Sequence, residues 1–187
     1  MDFLQAGAVS LVPLDSETDS HVDVYLRGHS NPEMRATGPY EGPYTRSQAY
    51  DRVTEIQDED TTLVCAISAE GETVGIVGTY IGDERARVAG LYYLVLPEYQ
   101  GNGYATEAAR LLTEFAFVDL NAQKIAATVI ASNAASERVL EKLGFQQEGR
   151  RRNQMYKDGK YRDVTEWGLL ESEFDDERDS TERDTPE

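Results

Sequence analysis

The stretch LPEYQGNGYATEAARLL, residues Leu96 to Leu112, decides how this chain is read. An apolar run ends at Leu96, a turn follows with glycines at 101 and 103, and a helical pattern begins with almost no spacer. Beyond the turn Ala105, Ala108, Ala109, Leu112, Phe115 and Ala116 fall on one side, with Glu107, Arg110 and Glu114 opposite. That is the spacing of a half-buried helix. A strand that ends in a glycine turn and feeds straight into a helix leaves the first helical amides unpaired and pointing the same way. Such amides, backed by the helix dipole, bind anions, and Gly101 and Gly103 remove side chains where a phosphate would approach the backbone. Two common phosphate loops are excluded. The dinucleotide fingerprint needs a third glycine where Thr106 stands and an acid ending the next strand, where this sequence reads IASN. A nucleotide triphosphate loop needs Lys and then Ser or Thr after its last glycine, and here Tyr104 and Ala105 follow. A ligand-free tight turn accommodates the same Gly-Asn-Gly, so the flanking sequence has to decide.

Working outward toward the N-terminus, Val88 to Leu96 reads as a strand, and the β-branched runs Thr61–Ile67 and Glu72–Ile81 read as an antiparallel hairpin around AEGE. Arg46 to Gln57 carries a helical pattern. NPEMRATGPYEGPYT, with three prolines and two glycines, reads as irregular loop, in which Tyr40 and Tyr44 are candidates to line a cleft. Val9 to Leu14 reads as a short strand, followed by a capped helix running to Gly28. Toward the C-terminus, Lys124 to Ala131 is nearly all apolar, as in a strand covered on both faces. NAASERVLEKLGF predicts a short helix opened by Asn133 and closed by a left-handed Gly144, with Phe145 placed to touch Leu140. Two further strands meet at KDGK, where Asp158 and Gly159 signal a hairpin, and from Glu171 the acidic sequence predicts a disordered tail.

The length, 187 residues, fits one domain. The chain carries 35 acidic against 18 basic side chains, a net charge of -17, and only four of the basic residues are lysine (Lys124, Lys142, Lys157 and Lys160). The acids are spread over every segment. Spread acid with scarce lysine points to a cytoplasm of molar salt, where the screening length falls to roughly 3 Å and such a surface no longer repels itself. An acidic surface that keeps a protein soluble or attracts a cationic partner is the alternative. Nucleic acid is an unpromising ligand, since the one basic cluster is Arg150 to Arg152, read as a solvated strand edge. The single cysteine, Cys65, sits in an apolar strand-like run and reads as core, and a single cysteine excludes an intrachain disulfide. No apolar run approaches the ~18 residues of a membrane span and no charged and then apolar leader opens the chain, so the sequence reads as cytoplasmic and without a membrane partner. His21 and His29 have no companion at ligand spacing, so no metal is expected.

Two motifs in register carry a resemblance. LPEYQGNGYATEA is similar to the acyl-coenzyme A loop of the GNAT N-acetyltransferases, with Gln100, Gly103 and Ala105 on the family pattern, and NAASERVLEKLGF resembles the family's second signature. The order of strands around them follows the family from about Val9 to Leu170, and the GYATEA start looks most like the branch of ribosomal-protein alanine acetyltransferases. The resemblance implies a single α/β (α+β) domain over residues 1–170. Its central sheet would be mixed, mostly antiparallel and splayed between Val88–Leu96 and Lys124–Ala131, with helices on both faces. It implies acetyl-coenzyme A as co-substrate, held by the amides from Gln100 through Gly101, Asn102, Gly103 and Tyr104 to Ala105. It also implies a strand amide among Leu94, Val95 and Leu96 facing the thioester oxygen, and Asn133 near the pantetheine arm.

The same resemblance implies where the chemistry departs. Many relatives place an acidic tyrosine where this chain has Leu140, whereas the ribosomal branch uses a serine that Ser136 matches; serine in a first helical turn also satisfies backbone groups. A glutamate common in relatives is replaced by Gly90, and an acid of the ribosomal branch by Met155. Glu98, Glu148 or a loop acid remain as bases. An α-amine is about one part in seven neutral at pH 7, against about one in a few thousand for a lysine amine, so a missing base favours an α-amine acceptor. The expected acceptor is a protein N-terminus. A small amine or amino acid is the alternative acceptor, and an acyl-coenzyme A sensor without catalysis is the alternative class. One of Tyr92 and Tyr93 is expected to face the cleft and the other the core, and a homodimer is a further expectation.

Overall fold

In the computed structural model, residues 2–38, 43–157 and 159–174 are described. Eight strands, β1 (Leu4–Ala6), β2 (Val9–Pro13), β3 (Thr62–Ala69), β4 (Glu72–Asp83), β5 (Val88–Val95), β6 (Lys124–Ile130), β7 (Gln146–Lys157) and β8 (Lys160–Leu170), form one sheet in the order β1-β2-β3-β4-β5-β6-β8-β7. Every neighbouring pair is antiparallel except β5 and β6. This is the mixed, mostly antiparallel sheet that was expected, with β7 and its arginines at an edge.

Five helices cover the two faces: α1 (Asp19–Ser30), α2 (Pro32–Thr37), α3 (Arg46–Gln57), α4 (Tyr104–Val118) and α5 (Ala134–Lys142). One core joins Val22 and Val24 of α1 and Ala49 and Val53 of α3 to Val64, Ile76, Leu94 and Leu96 of the sheet. The other joins Ala108, Leu112 and Ala116 of α4 and Leu140 of α5 to Val77, Leu91, Val95 and Ile125. The polar face of α4 is stitched together, Arg110 bonding Glu107 at 2.7 Å and Glu114 at 3.4 Å. Cys65 is fully buried, and burial pushes its thiol up to about 12, as suits a core residue.

Three local readings need correction. The segment read as irregular loop contains α2, because Asn31 caps it, accepting from the amides of Glu33 at 2.8 Å and Met34 at 3.2 Å, and Pro32 sits at the first helical position, where its missing N–H costs nothing. Tyr40 lies outside the described residues, as does Asp158 of the expected hairpin. β1 was not anticipated; it folds back on β2 through Gly7 at φ +55. Finally, residues 171–174, placed in the tail, form a helical turn whose Phe174 is buried against Phe117, ring centroids 5.5 Å apart.

The element that positions the site is the break between β5 and β6. They pair only at Val88↔Lys124, Ala89↔Ile125 and Gly90↔Ala126, after which no register is kept, and the strands part with Leu91–Val95 on one side and Ala127–Ile130 on the other.

Candidate active site

Two cavities meet in this gap. One, of about 420 Å³, lies between the end of β5, the start of α4 and the face of α5. The other, of about 570 Å³, lies between the parted ends of β5 and β6 and reaches Tyr25 and His29 of α1 and Arg52 of α3. Tyr93, Asn133, Ser136, Thr37 and Gly38 line both, so a molecule in either reaches the same junction.

The first cavity is built around the turn. Gly101 and Gly103 sit at φ +83 and +84, where a side chain is strained, and Gly103 caps α4. Among the described residues the amides of Gly101, Asn102, Gly103, Tyr104, Ala105 and Thr106 have no protein acceptor, whereas the Glu107 amide closes the first helical bond to Gly103 at 3.0 Å. The expected row of donors is present with one change: the Gln100 amide is taken, at 3.2 Å, by the carbonyl of Pro97 within the Pro97–Tyr99 turn. Gln100 contributes its side chain instead, Nε2 donating at 2.9 Å to the Val95 carbonyl and tying the loop to the strand. Asn102 does likewise, donating to the Tyr99 carbonyl at 3.1 Å.

The strand amides sort themselves by alternation. Leu96 donates to Val74 at 2.9 Å, toward β4, and Leu94, two residues back, turns the same way. Val95 therefore directs its amide into the gap, and of the three expected candidates it is the one so aimed. The side chains agree, since Leu94 and Leu96 pack in the α1–α3 core and Val95 in the α4 core.

Asn133 caps α5, its Oδ1 accepting from the Ser136 amide at 3.1 Å, and its Nδ2 donates to the Thr37 carbonyl at 3.2 Å, fastening α2 to the junction. Because Asn133 performs the cap, the Ser136 hydroxyl is not needed for it, and among the described residues that hydroxyl makes no hydrogen bond. The Ser136 carbonyl accepts from the Tyr93 hydroxyl at 3.0 Å. The expectation that one of the tyrosine pair faces the core is not met: Tyr93 borders both cavities, and Tyr92, on the other face, lies across Gly78, is exposed and also lines the second cavity.

Of the acids that remained as bases, Glu98 and Glu148 line neither cavity, whereas Glu33, an acid of the segment read as loop, lines the first. Glu98 pairs with Arg27, and a hydrogen bond from its own backbone together with that guanidinium holds its carboxyl below the usual range. Glu148 pairs with Lys124 at 2.6 Å. At Gly90 the space is filled from the neighbouring strand, since a Cβ there would meet the Tyr80 ring at 2.1 Å. Leu140 and Met155 both border the second cavity.

Sequence reasoning missed several residues. Arg138 and Lys142, four apart on α5, bring positive charge to the first cavity, although side-chain cations seemed unnecessary there. The i, i+4 spacing on the side of α5 away from Leu140 was the available signal. The second cavity is walled by Tyr25, Tyr44, Tyr80, Tyr92 and His29, with Arg52 at its margin, and contains no Asp or Glu among the described residues. Tyr44 and the Tyr92–Tyr93 pair were candidates from the sequence, whereas Tyr25 and His29 of α1, Arg52 of α3 and Tyr80 of β4 were not, and no single stretch of sequence announces them. The donor row, the adjoining cations and the gap fit a long anionic thioester in the first cavity and its acceptor in the second.

Residues 9–146 match the acetyltransferase (GNAT) domain family. The chain is 31% identical over 133 residues to a prophage-derived uncharacterized N-acetyltransferase, YokL, of Bacillus subtilis, covering 71% of this chain and 75% of that one. It is 29% identical over 169 residues to the spermidine N(1)-acetyltransferase of Escherichia coli, covering 90% and 89%. The fold superposes on a ribosomal-protein alpha-N acetyltransferase, RimL, solved with coenzyme A, at TM-score 0.77 and 16% identity, covering 88% and 95%. With the family match spanning most of its length, the chain belongs to the GNAT acetyltransferases and is an acetyl-coenzyme A dependent N-acetyltransferase.

Proposed function

We propose that the acceptor is the α-amine at the N-terminus of a protein or peptide. The observation that carries this is the second cavity: in a chain with 35 acidic residues, none of the described residues lining it is an acid, and Arg52 stands among them. A polyamine presents several ammonium groups that need carboxylates, and the described lining offers none, its Arg52 being paired with Glu55 at 2.6 Å. An N-terminal residue offers one amine and an apolar or aromatic side chain, which tyrosines accommodate. The spermidine acetyltransferase among the relatives is therefore a guide to chemistry rather than to acceptor.

On the donor side, the amides from Gly101 to Thr106 hold the diphosphate of acetyl-coenzyme A, with Arg138 and Lys142 supplying further positive charge. The Val95 amide stabilises the charge that develops on the thioester oxygen, and the Ser136 hydroxyl gives a proton to the departing thiolate. Asn133 keeps the two cavities in register. The spread of acidic residues suits a saline cytoplasm, and a melting temperature that rises from dilute buffer to molar KCl is the expected sign.

The test is thiol release with acetyl-coenzyme A and three acceptor sets: peptides with free N-termini, the same peptides N-terminally blocked but carrying lysine, and spermidine. Free N-termini are expected to be the best substrates, and a preference for spermidine would reject the acceptor assignment. Ser136→Ala is expected to slow turnover at least 10²-fold, the lower bound for a positioned acid; unchanged turnover would remove it from the mechanism.

A further inference from the structure

On the face of the sheet that carries α1 and α3, strands β4 and β5 set Ile76 opposite Leu94, Gly78 opposite Tyr92 and Tyr80 opposite Gly90. Ile76 and Leu94 are buried under the helices. Beyond that cover come two tyrosine–glycine pairs, in reversed order on the two strands. We propose that the rings of Tyr80 and Tyr92 form an aromatic floor that reads the acceptor at its third to sixth residues. The assignment rests on the peptide reading above and names the part of the peptide that is recognised.

Each ring lies across the facing strand rather than standing up from its own. A Cβ at Gly78 would lie 2.3 Å from Cζ of Tyr92, and one at Gly90 would lie 2.1 Å from Cζ of Tyr80. Any side chain at either glycine would lift the ring above it, so the two glycines make the floor flat. The pairs are two residues apart, about 7 Å along the strands. Covering the glycines uses only the underside of each ring. Tyr80 remains 46% exposed and Tyr92 39%, and both line the second cavity.

The floor is continuous with the site of chemistry. Tyr93, Leu94 and Val95 line the first cavity, and Leu91, Tyr92 and Tyr93 the second, so the two follow one another along β5. β6 has parted from β5 beyond Gly90, which opens the side of the strand to a chain. An amine at the thioester beside Val95 therefore trails the rest of its molecule back along β5 toward Gly90. At ~3.4 Å per residue, Tyr92 is about 10 Å from Val95, and Gly90, under the Tyr80 ring, is about 17 Å away. An extended peptide has the same rise. Its third or fourth residue comes over Tyr92, and its fifth or sixth over Tyr80. Flat phenol faces favour a planar side chain laid against them. A dipeptide or a small amine is too short to use them.

The test measures thiol release by the full chain at saturating acetyl-coenzyme A and one fixed salt concentration. The acceptors are dialanine amide, a hexapeptide amide of alanine and serine, and versions of that hexapeptide with one phenylalanine at each position from the second to the sixth. The hexapeptide is expected to exceed the dipeptide. Phenylalanine at the third or fourth position should raise kcat/KM about tenfold further, the weight of one stacked aromatic pair, and chiefly through KM. Tyr92→Leu should shrink that advantage to about twofold, while Tyr92→Phe, which keeps the ring, should preserve it. Tyr80→Leu should do the same to the fifth and sixth positions. The positional profile of the wild type needs no variant. A profile that is flat, or highest at the second position, overturns the floor while the peptide reading stands, as does an advantage that survives Tyr92→Leu. Spermidine acetylated in preference to every peptide overturns both.

Discussion

Replacing Gly90 by alanine tests how the cleft is built. A Cβ at residue 90 would lie 2.1 Å from Cζ and 2.3 Å from Cε1 of Tyr80, the residue it faces across β4 and β5. No contact that short survives, so the ring must swing away. Tyr80 is 46% exposed, so the swing is possible, but it gives up the ring's cover over β5. Overpacking of this kind costs ~1–3 kcal/mol, and we expect about 1.5 for a half-exposed ring. With Tyr80→Ala already in place the obstacle is gone, and Gly90→Ala should stabilise by ~0.5–1 kcal/mol, because alanine loses less backbone entropy than glycine within a strand. The two substitutions are thus expected to couple by about 2 kcal/mol in a double-mutant cycle. Urea melts of the four proteins at one fixed salt concentration measure it, and thermal melts should follow at about 2–4 °C per kcal/mol for a chain of this size. A Gly90→Ala effect that is the same with and without the tyrosine ring would refute the claim that Tyr80 occupies this space.

The remaining expectations concern the turn and the histidines. Gly103→Ala meets no atom within 4 Å but holds φ +84, so it should cost ~1–2 kcal/mol from backbone strain alone and weaken acetyl-coenzyme A binding measured by calorimetry; an unaltered stability would contradict the left-handed cap. His21 accepts a hydrogen bond from the Asp15 amide at 3.0 Å, and burial holds its pKa below the usual value, with Asp15 partly opposing. The unfolded chain therefore binds protons that the folded chain refuses, so stability is fully present above about pH 6.5 and declines as pH falls below it. His29 contributes with the same sign. Denaturation midpoints between pH 5 and 8 read this directly, and His21→Gln should flatten the slope.

The donor side was readable because it is local. The alternation from Val88 to Leu96, the two glycines and the amphipathic helix all lie within one continuous segment, and each needs only its neighbours to be understood. α2 was misjudged because the count of prolines and glycines outweighed a specific arrangement: Asn31 as cap and Pro32 at the first position are a helix start, and the breakers that follow belong to what lies beyond it. Phe174 was overlooked for a similar reason, one apolar side chain among acids being enough to dock a helical turn on Phe117. On the acceptor side only Tyr44 and the Tyr92–Tyr93 pair were readable. Tyr80 over Gly90 is a cross-strand contact fixed by register, and His29 and Arg52 come to one cavity only after α1 and α3 have packed on the sheet.

Cys65 has a practical consequence. It is the only cysteine in the chain, it sits inside β3, and its thiol is held up to about 12, so the folded protein presents no sulfur that a colorimetric disulfide reagent can oxidise at neutral pH. Coenzyme A liberated during turnover is then the sole source of colour, with no blank to subtract for the enzyme. A cysteine engineered at the rim of either cavity would for the same reason be the one point at which a fluorophore or crosslinker attaches.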